Sequence, residues 1–249
     1  MGVEIQMKNK ESIIRYGVRQ EADTLELYIY DTVEGDSYDW WTGQKIQSET
    51  SANFIMGKLS EAENVSAINV YINSYGGSVK EGLAIYNQLL RHKAHKHVYI
   101  DGYACSIASV IAMCGDTITM AKNALMMIHN ASMGVFGTSE ELRKAADDLD
   151  VINAASCSTY LDRAGDKLTE ETLKAMLDRE TWLNAEQCIG YGLADDILQK
   201  KEAKTSDVEH EYRAYVEQAR REMERVQKAA PQAPIPNKNP FSNFFNNVE

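Results

Sequence analysis

The segment that most constrains this chain is an apolar run, two glycines and an amphipathic stretch in direct succession. Residues 67–73, AINVYIN, alternate so that Ile68, Val70 and Ile72 share one face of a strand. Gly76 and Gly77 follow. From there to about residue 92, Val79, Leu83, Ile85, Tyr86, Leu89 and Leu90 recur at helical spacing. The same alternation is legible elsewhere. Strands are predicted at 25–30 (LELYIY), 97–101 (HVYID), about 117–120 and 125–128. Helices are predicted over 44–63, with Ile46, Phe54, Ile55 and Leu59 apolar, and over 106–114 (SIASVIAMC). A long helix is expected over 138–163, entered at Thr138 or Ser139 with Glu140 or Glu141 placed as in a capping box. Further helices begin at Thr169-Glu170-Glu171-Thr172 and at Asn184-Ala185-Glu186-Gln187, and Asp195-Asp196-Ile197-Leu198 closes the compact part. Strands and helices in alternation, joined by glycine turns, imply an α/β fold with largely parallel pairing.

A chain of 249 residues with 44% apolar residues can bury a core without disulfide or metal staples. It carries 37 acidic against 26 basic residues, a net charge of −11, which repels phosphate backbones and anionic lipid surfaces. No nucleic acid and no membrane are therefore expected among its partners. Cys105, Cys114, Cys157 and Cys188 include no C-x-x-C pair, so no metal site and no redox motif is expected, and the thiols read as buried groups of a reducing compartment. No signal-peptide stretch and no apolar window of membrane-spanning length is present, so a cytoplasmic location is expected.

Beyond residue 200 the composition changes. Residues 200–228 are highly charged, PQAPIPNKNP holds all four prolines, and FSNFFNN, with three phenylalanines, lies close to the end. The expected organisation is an N-terminal extension over 1–24, one domain over 25–199, a charged helix over 200–229, and a proline-rich linker with an aromatic tail over 230–249. That tail reads either as solvated chain or as a docking peptide for a partner surface.

Four pieces can carry chemistry. The Gly76-Gly77 turn permits a backbone that approaches a ligand closely, with amides directed at developing negative charge. Ser106 follows a strand and opens an apolar helix, where it serves as an N-cap or as a nucleophile. Cys105 beside it is a rival nucleophile, and Ser109 one turn on is expected to pack. His129 ends the apolar strand Met126-Met127-Ile128, as a core residue or as a base. Glu180, in Arg179-Glu180-Thr181-Trp182, is a solvated carboxylate or the partner of a histidine. Together they supply the nucleophile, base, acid and oxyanion donors of acyl transfer. His92, His95 and His97 lie close together in RHKAHKH and read as a polar turn rather than a metal cluster.

The stretches INSYGGSVKEGLAIYNQL, YIDGYACSIASVIAMCGD, NALMMIHNASMGVFGT, ELRKAADDLD and ETWLNAEQCIGYGLADDI resemble the ClpP-type serine peptidases over about residues 25–198. With DWWTG near residue 40, the likeness extends to the ClpP-like head maturation proteases of tailed phages and prophages. The resemblance implies a ClpP/crotonase-like superhelix of ββα units, here with an added C-terminal helix and tail. It implies Ser106 as nucleophile, His129 as general base, Gly76 and Gly77 as the oxyanion turn, and the Ile107 amide as a second donor. The family's acid is usually aspartate; Glu180 occupies that position, with Asp178 as the fallback. Tyr75 and Ala131 stand where the family commonly has proline. No cofactor is implied. The implied partners are protein or peptide substrates, capsid or scaffold proteins among them. The likeness also implies further copies of the chain in a homo-oligomeric ring, heptameric or doubled, and an ATPase unfoldase that feeds the ring in cellular relatives. The alternatives are a non-catalytic assembly protein on the same fold, a crotonase-type acyl-CoA enzyme, and a serine–lysine dyad using Lys122.

Overall fold

The structure, a computed structural model, describes residues 18–21 and 23–199 together with Glu217 and Arg221. Its centre is a mostly parallel sheet. Strand β1 (Val18–Glu21) pairs antiparallel with β2 (Thr24–Ile29), so part of the expected N-terminal extension is an edge strand. A small hairpin follows, β3 (Ser37–Tyr38) with β4 (Lys45–Ile46), and then α1 (Ala52–Glu61). Next come β5 (Ala67–Ser74), α2 (Val79–Arg91), β6 (His95–Cys105), α3 (Ile107–Ala112), β7 (Thr117–Met120) and β8 (Leu125–Ile128). Helix α4 (Ser139–Ala164), α5 (Glu170–Asp178), β9 (Thr181–Asn184), α6 (Ala185–Gly190) and β10 (Asp196–Ile197) complete it. The order β1-β2-β5-β6-β7-β10 is parallel from β2 onward. The α/β class expected from the sequence is the class observed.

Alternating residues of each strand face the core. Leu25, Leu27 and Ile29 of β2, Ile68, Val70 and Ile72 of β5, and Val98 and Ile100 of β6 are all buried. They meet Ile55 and Leu59 of α1, Ile85 and Leu89 of α2, and a fully buried α3. A helix apolar all round such as α3 is stable only when enclosed, which places it between sheet and helices. Helix α4 has the expected capping box, Thr138 with Glu141, and buries only its C-terminal part, including Cys157, Thr159 and Tyr160. Among the described residues, no helix is long and apolar enough to cross a membrane.

The helix expected over 44–63 begins later, at Ala52. Residues 36–51 are diverted by a polar hub. Asp36 accepts hydrogen bonds from the Ser48 amide (3.1 Å) and the Ser51 hydroxyl (3.1 Å), and pairs with Lys45 at 2.7 Å. Asp39 closes the hairpin by accepting from the Trp41 and Thr42 amides, and this leaves Trp40 and Trp41 exposed. Ser51 then caps α1, and the buried carboxylate of Glu81 on α2 accepts from the Ala52 amide at 2.9 Å. Helix periodicity over 44–51 is outcompeted by these local bonds. Of the charged helix expected over 200–229, only Glu217 and Arg221 are described. Both are helical and pair at 3.7 Å. The tail over 230–249 lies outside the described residues.

The Lys45 ammonium, the Ser48 amide and the neighbouring side chains hold the Asp36 carboxyl down at about 2, against opposing desolvation. A carboxylate pKa below its unfolded value of about 4 stabilises the fold fully above that value, and the contribution fades as pH falls toward 2. Asp36→Asn is expected to loosen residues 37–47 at neutral pH. Limited proteolysis should cut the variant there, and should cut the parent protein there only under acid conditions.

Candidate active site

Strand β6 changes partners along its length. His97–Ile100 pair with β7, whereas Tyr103–Cys105 pair with β8. The register Cys105↔Met127 carries on into a bond from the Ser106 amide to the Met127 carbonyl at 2.8 Å. Strand β5 rejoins β6 beyond a register shift, with Ser74 opposite Ala104. The carboxyl ends of β5, β6 and β8 therefore converge, where binding sites of open parallel sheets form. Gly76, Ser106 and His129 are delivered there by three strands.

Ser106 stands at the N-cap position of α3, yet its side chain makes no capping bond. Its backbone is left-handed, with φ 54° and ψ −129°, a conformation that costs a non-glycine residue about 1–3 kcal/mol. That backbone turns the hydroxyl out of the helix toward His129, and Oγ lies 2.8 Å from Nε2. With the hydroxyl donating to Nε2, the ring proton sits on Nδ1.

Gly76 (φ 96°) and Gly77 (φ 144°) adopt backbones closed to other residues, and their surroundings are as tight. A Cβ on Gly76 would lie 2.7 Å from the Cys105 carbonyl oxygen and 3.2 Å from the Ile107 nitrogen. A Cβ on Gly77 would lie 2.3 Å from the Val33 carbonyl oxygen. The Gly76 amide donates to Ser74 Oγ at 3.0 Å and is thereby engaged. Val33 makes both bonds of its bridge to this turn, to the Gly76 carbonyl and from the Ser78 amide, so the Gly77 amide faces away from it. Among the described residues, the Gly77 and Ile107 amides have no acceptor. The expected oxyanion set of Gly76, Gly77 and Ile107 thus divides into two open amides and one that braces the turn.

The carboxylates are placed differently. Antiparallel pairing of Ile128 with Thr181 puts Glu180 beside His129 at the next register position, and Glu180 too is left-handed, with φ 53°. Asp178, at the end of α5, accepts from the Asn130 side chain at 2.8 Å, and both line a cavity of about 320 Å³. Neither carboxylate bonds to His129 among the described residues. Lys122 is exposed in the turn between β7 and β8 and makes no bond to Ser106. Burial pushes the Cys105 thiol up to about 11, so it is protonated at neutral pH and a poor nucleophile. His92, His95 and His97 have separate partners in the Ala94 amide, Thr117 and Thr119.

Both departures from proline are accommodated. The Tyr75 ring packs edge-on against Tyr103, which packs edge-on against Trp182 of β9. The Ala131 amide donates to Asn153 Oδ1 at 2.7 Å, a bond that proline could not make. Sequence reasoning missed one polar group. Ser109, expected to pack, is fully buried, and its hydroxyl bonds to the Ser106 carbonyl and to Tyr160. Its signal was the single hydroxyl in an otherwise apolar helix.

A hydroxyl on a strained strand-to-helix turn, an imidazole at bonding distance and amides without an acceptor are the kinds of group from which serine-hydrolase centres are built. Residues 39–201 match the family described as Clp protease. The chain is 31% identical over 167 residues to ATP-dependent Clp protease proteolytic subunit 1 of Prochlorococcus marinus subsp. pastoris, covering 65% of this chain and 84% of that protein. It is 32% identical over 162 residues to the ATP-dependent Clp protease proteolytic subunit of Ligilactobacillus salivarius, covering 62% and 80% respectively. With proteolytic subunit 1 of Streptomyces avermitilis it shares 31% over 156 residues, 61% of this chain and 71% of that one. The chain belongs to the Clp protease family.

Gly76→Ala is expected to destabilise the domain by about 1–3 kcal/mol, because the Cys105 carbonyl oxygen, Ser106 Cβ and Ile107 nitrogen block the new methyl. Thermal denaturation measures it. Iodoacetamide at neutral pH should leave Cys105 unmodified in the folded protein, as read by peptide mass mapping.

Proposed function

We propose that the chain is a serine endopeptidase subunit that hydrolyses peptide bonds through an acyl-enzyme. The 2.8 Å contact between Ser106 Oγ and His129 Nε2 beside the open Gly77 and Ile107 amides carries this reading. Ser106 Oγ attacks the scissile carbonyl carbon as His129 Nε2 takes its proton. The Gly77 and Ile107 amides donate to the resulting oxyanion. His129 returns the proton to the leaving amine as the carbon–nitrogen bond breaks; water, deprotonated by His129, then attacks the ester, and that proton passes to Ser106 Oγ as the ester C–O bond breaks. Glu180 is the carboxylate for His129 Nδ1: the strand register puts it alongside, and Asp178 is committed to Asn130. Its side chain has to turn toward the imidazole to engage it, which substrate or a neighbouring subunit would favour.

The substrates are proteins or peptides, and the working form is a homo-oligomeric ring, in line with relatives named as subunits. Residues 25–199 form the peptidase domain. Within the family, we place the chain among the phage or prophage head maturation proteases, acting on capsid or scaffold proteins. The DWWTG stretch of this chain, residues 39–43 ahead of α1, supports that placement because it looks like that group. Co-expression with such a capsid protein tests it by whether the capsid chain is shortened.

A fluorophosphonate should label Ser106, with the modified peptide identified by mass. Ser106→Ala should abolish labelling and cleavage and leave thermal stability intact. Glu180→Gln is expected to lower kcat by about 10²–10⁴-fold through the wrong imidazole tautomer, and to cost more than Asp178→Asn. Labelling at another residue, or cleavage by Ser106→Ala, would overturn the assignment.

A further inference from the structure

Behind the nucleophile lies a buried pair of hydroxyls that no step of the chemistry uses. Ser109 is fully enclosed in α3, and Tyr160, 1% exposed, reaches it from α4. Ser109 Oγ lies 2.5 Å from the Ser106 carbonyl oxygen and 2.7 Å from the Tyr160 hydroxyl. Ser109 has one hydroxyl proton. A carbonyl oxygen can only accept, and of the two in reach the Ser106 oxygen at 2.5 Å takes that proton ahead of the Met127 oxygen at 3.4 Å, so the Tyr160 proton must go to Ser109. The bonds form one directed chain from Tyr160 through Ser109 to the Ser106 carbonyl. The Ser109 amide adds a second bond to the same oxygen at 2.9 Å.

From this chain we infer that Ser109 and Tyr160 are positioning residues that aim the Ile107 amide into the active site. The inference rests on the proteolytic reading of that site. A trans peptide is planar, with its C=O and N–H pointing in opposite directions. The Ser106 carbonyl and the Ile107 amide belong to one peptide. Drawing the carbonyl into the core therefore turns the amide outward, beside Gly76, where an oxyanion would sit. Ser106 has a left-handed backbone that it would leave unless held, and its own amide is fixed from the other side by Met127. Hydrogen bonds in series polarise one another, so donation to the carbonyl also makes the Ile107 amide a better donor. Burial keeps the Tyr160 proton in place, since its pKa is raised well beyond the ordinary tyrosine value.

The test uses Tyr160→Phe, which removes one oxygen, and Ser109→Ala, in the full-length protein. Turnover of a fluorogenic peptide should show kcat reduced roughly three- to tenfold in each, with KM unchanged. The double variant should fall no further than Ser109→Ala, because Tyr160 acts through Ser109. A peptide boronate, which mimics the tetrahedral intermediate, should lose affinity by a similar factor. A lowered melting temperature with kcat and boronate affinity unchanged would overturn the inference and leave the pair a packing feature. The crystal structure of Ser109→Ala is a readout independent of activity. A rotated Ser106–Ile107 peptide is expected, and an unmoved one would overturn the proposal. Failure of the fluorophosphonate to label Ser106 in the parent protein would instead refute the proteolytic reading, and the peptide orientation would still decide this one.

Discussion

The site depends on one long strand exchanging its neighbour. Over His97–Ile100, β6 lies beside β7; three residues later it lies beside β8. A strand of 11 residues is long enough to serve both. The handover opens the sheet at the carboxyl ends of β5, β6 and β8, and three otherwise distant residues arrive within a few ångströms of each other. Were β6 to end with β7, Ser106 and His129 would have no common neighbour. The bond from the Ser106 amide to the Met127 carbonyl keeps the two strands in register at the last possible residue.

The strain at Ser106 follows from the same geometry. The chain must leave β6 and enter α3 without a connecting loop, and a left-handed residue makes that turn in one step. Glycine would do so without penalty, but the position carries a hydroxyl, so the cost of about 1–3 kcal/mol is met by the surroundings. Two bonds to the Ser106 carbonyl, one from its amide, and the enclosure of α3 hold it. Gly76 then packs so closely on this turn that no side chain fits, and the Gly77 and Ile107 amides are left without an acceptor among the described residues. Water or a substrate oxygen has to fill that role, so the unpaired donors are part of the site's design rather than a defect.

The carboxylates illustrate how register and side-chain commitment separate two similar groups. Glu180 and Asp178 are two residues apart, yet Asp178 ends a helix and bonds to Asn130, whereas Glu180 leads into β9 next to the histidine strand. Proximity in sequence left them nearly equivalent. The antiparallel pairing of β8 with β9 is a long-range property and distinguishes them.

Much was legible from residue order alone. Period-two and period-3.6 patterns marked most strands and helices, because one face of each buries and burial follows side-chain polarity. The paired glycines, Ser106 and His129 stood out as punctuation at the ends of apolar runs. The hairpin at 37–46 was not legible as such, since its driving forces are hydrogen bonds accepted by Asp36 and Asp39 that override helix periodicity. The bonding of Ser109 was hidden as well: its partners Tyr160 and Met127 are 51 and 18 residues away. Sequence by itself determined the alternation of elements and the chemical groups available, because these depend on local patterning. Only the tertiary structure decided which of those groups meet, which amides stay open and which hydroxyls are locked behind the site, because strand register and helix packing set those distances.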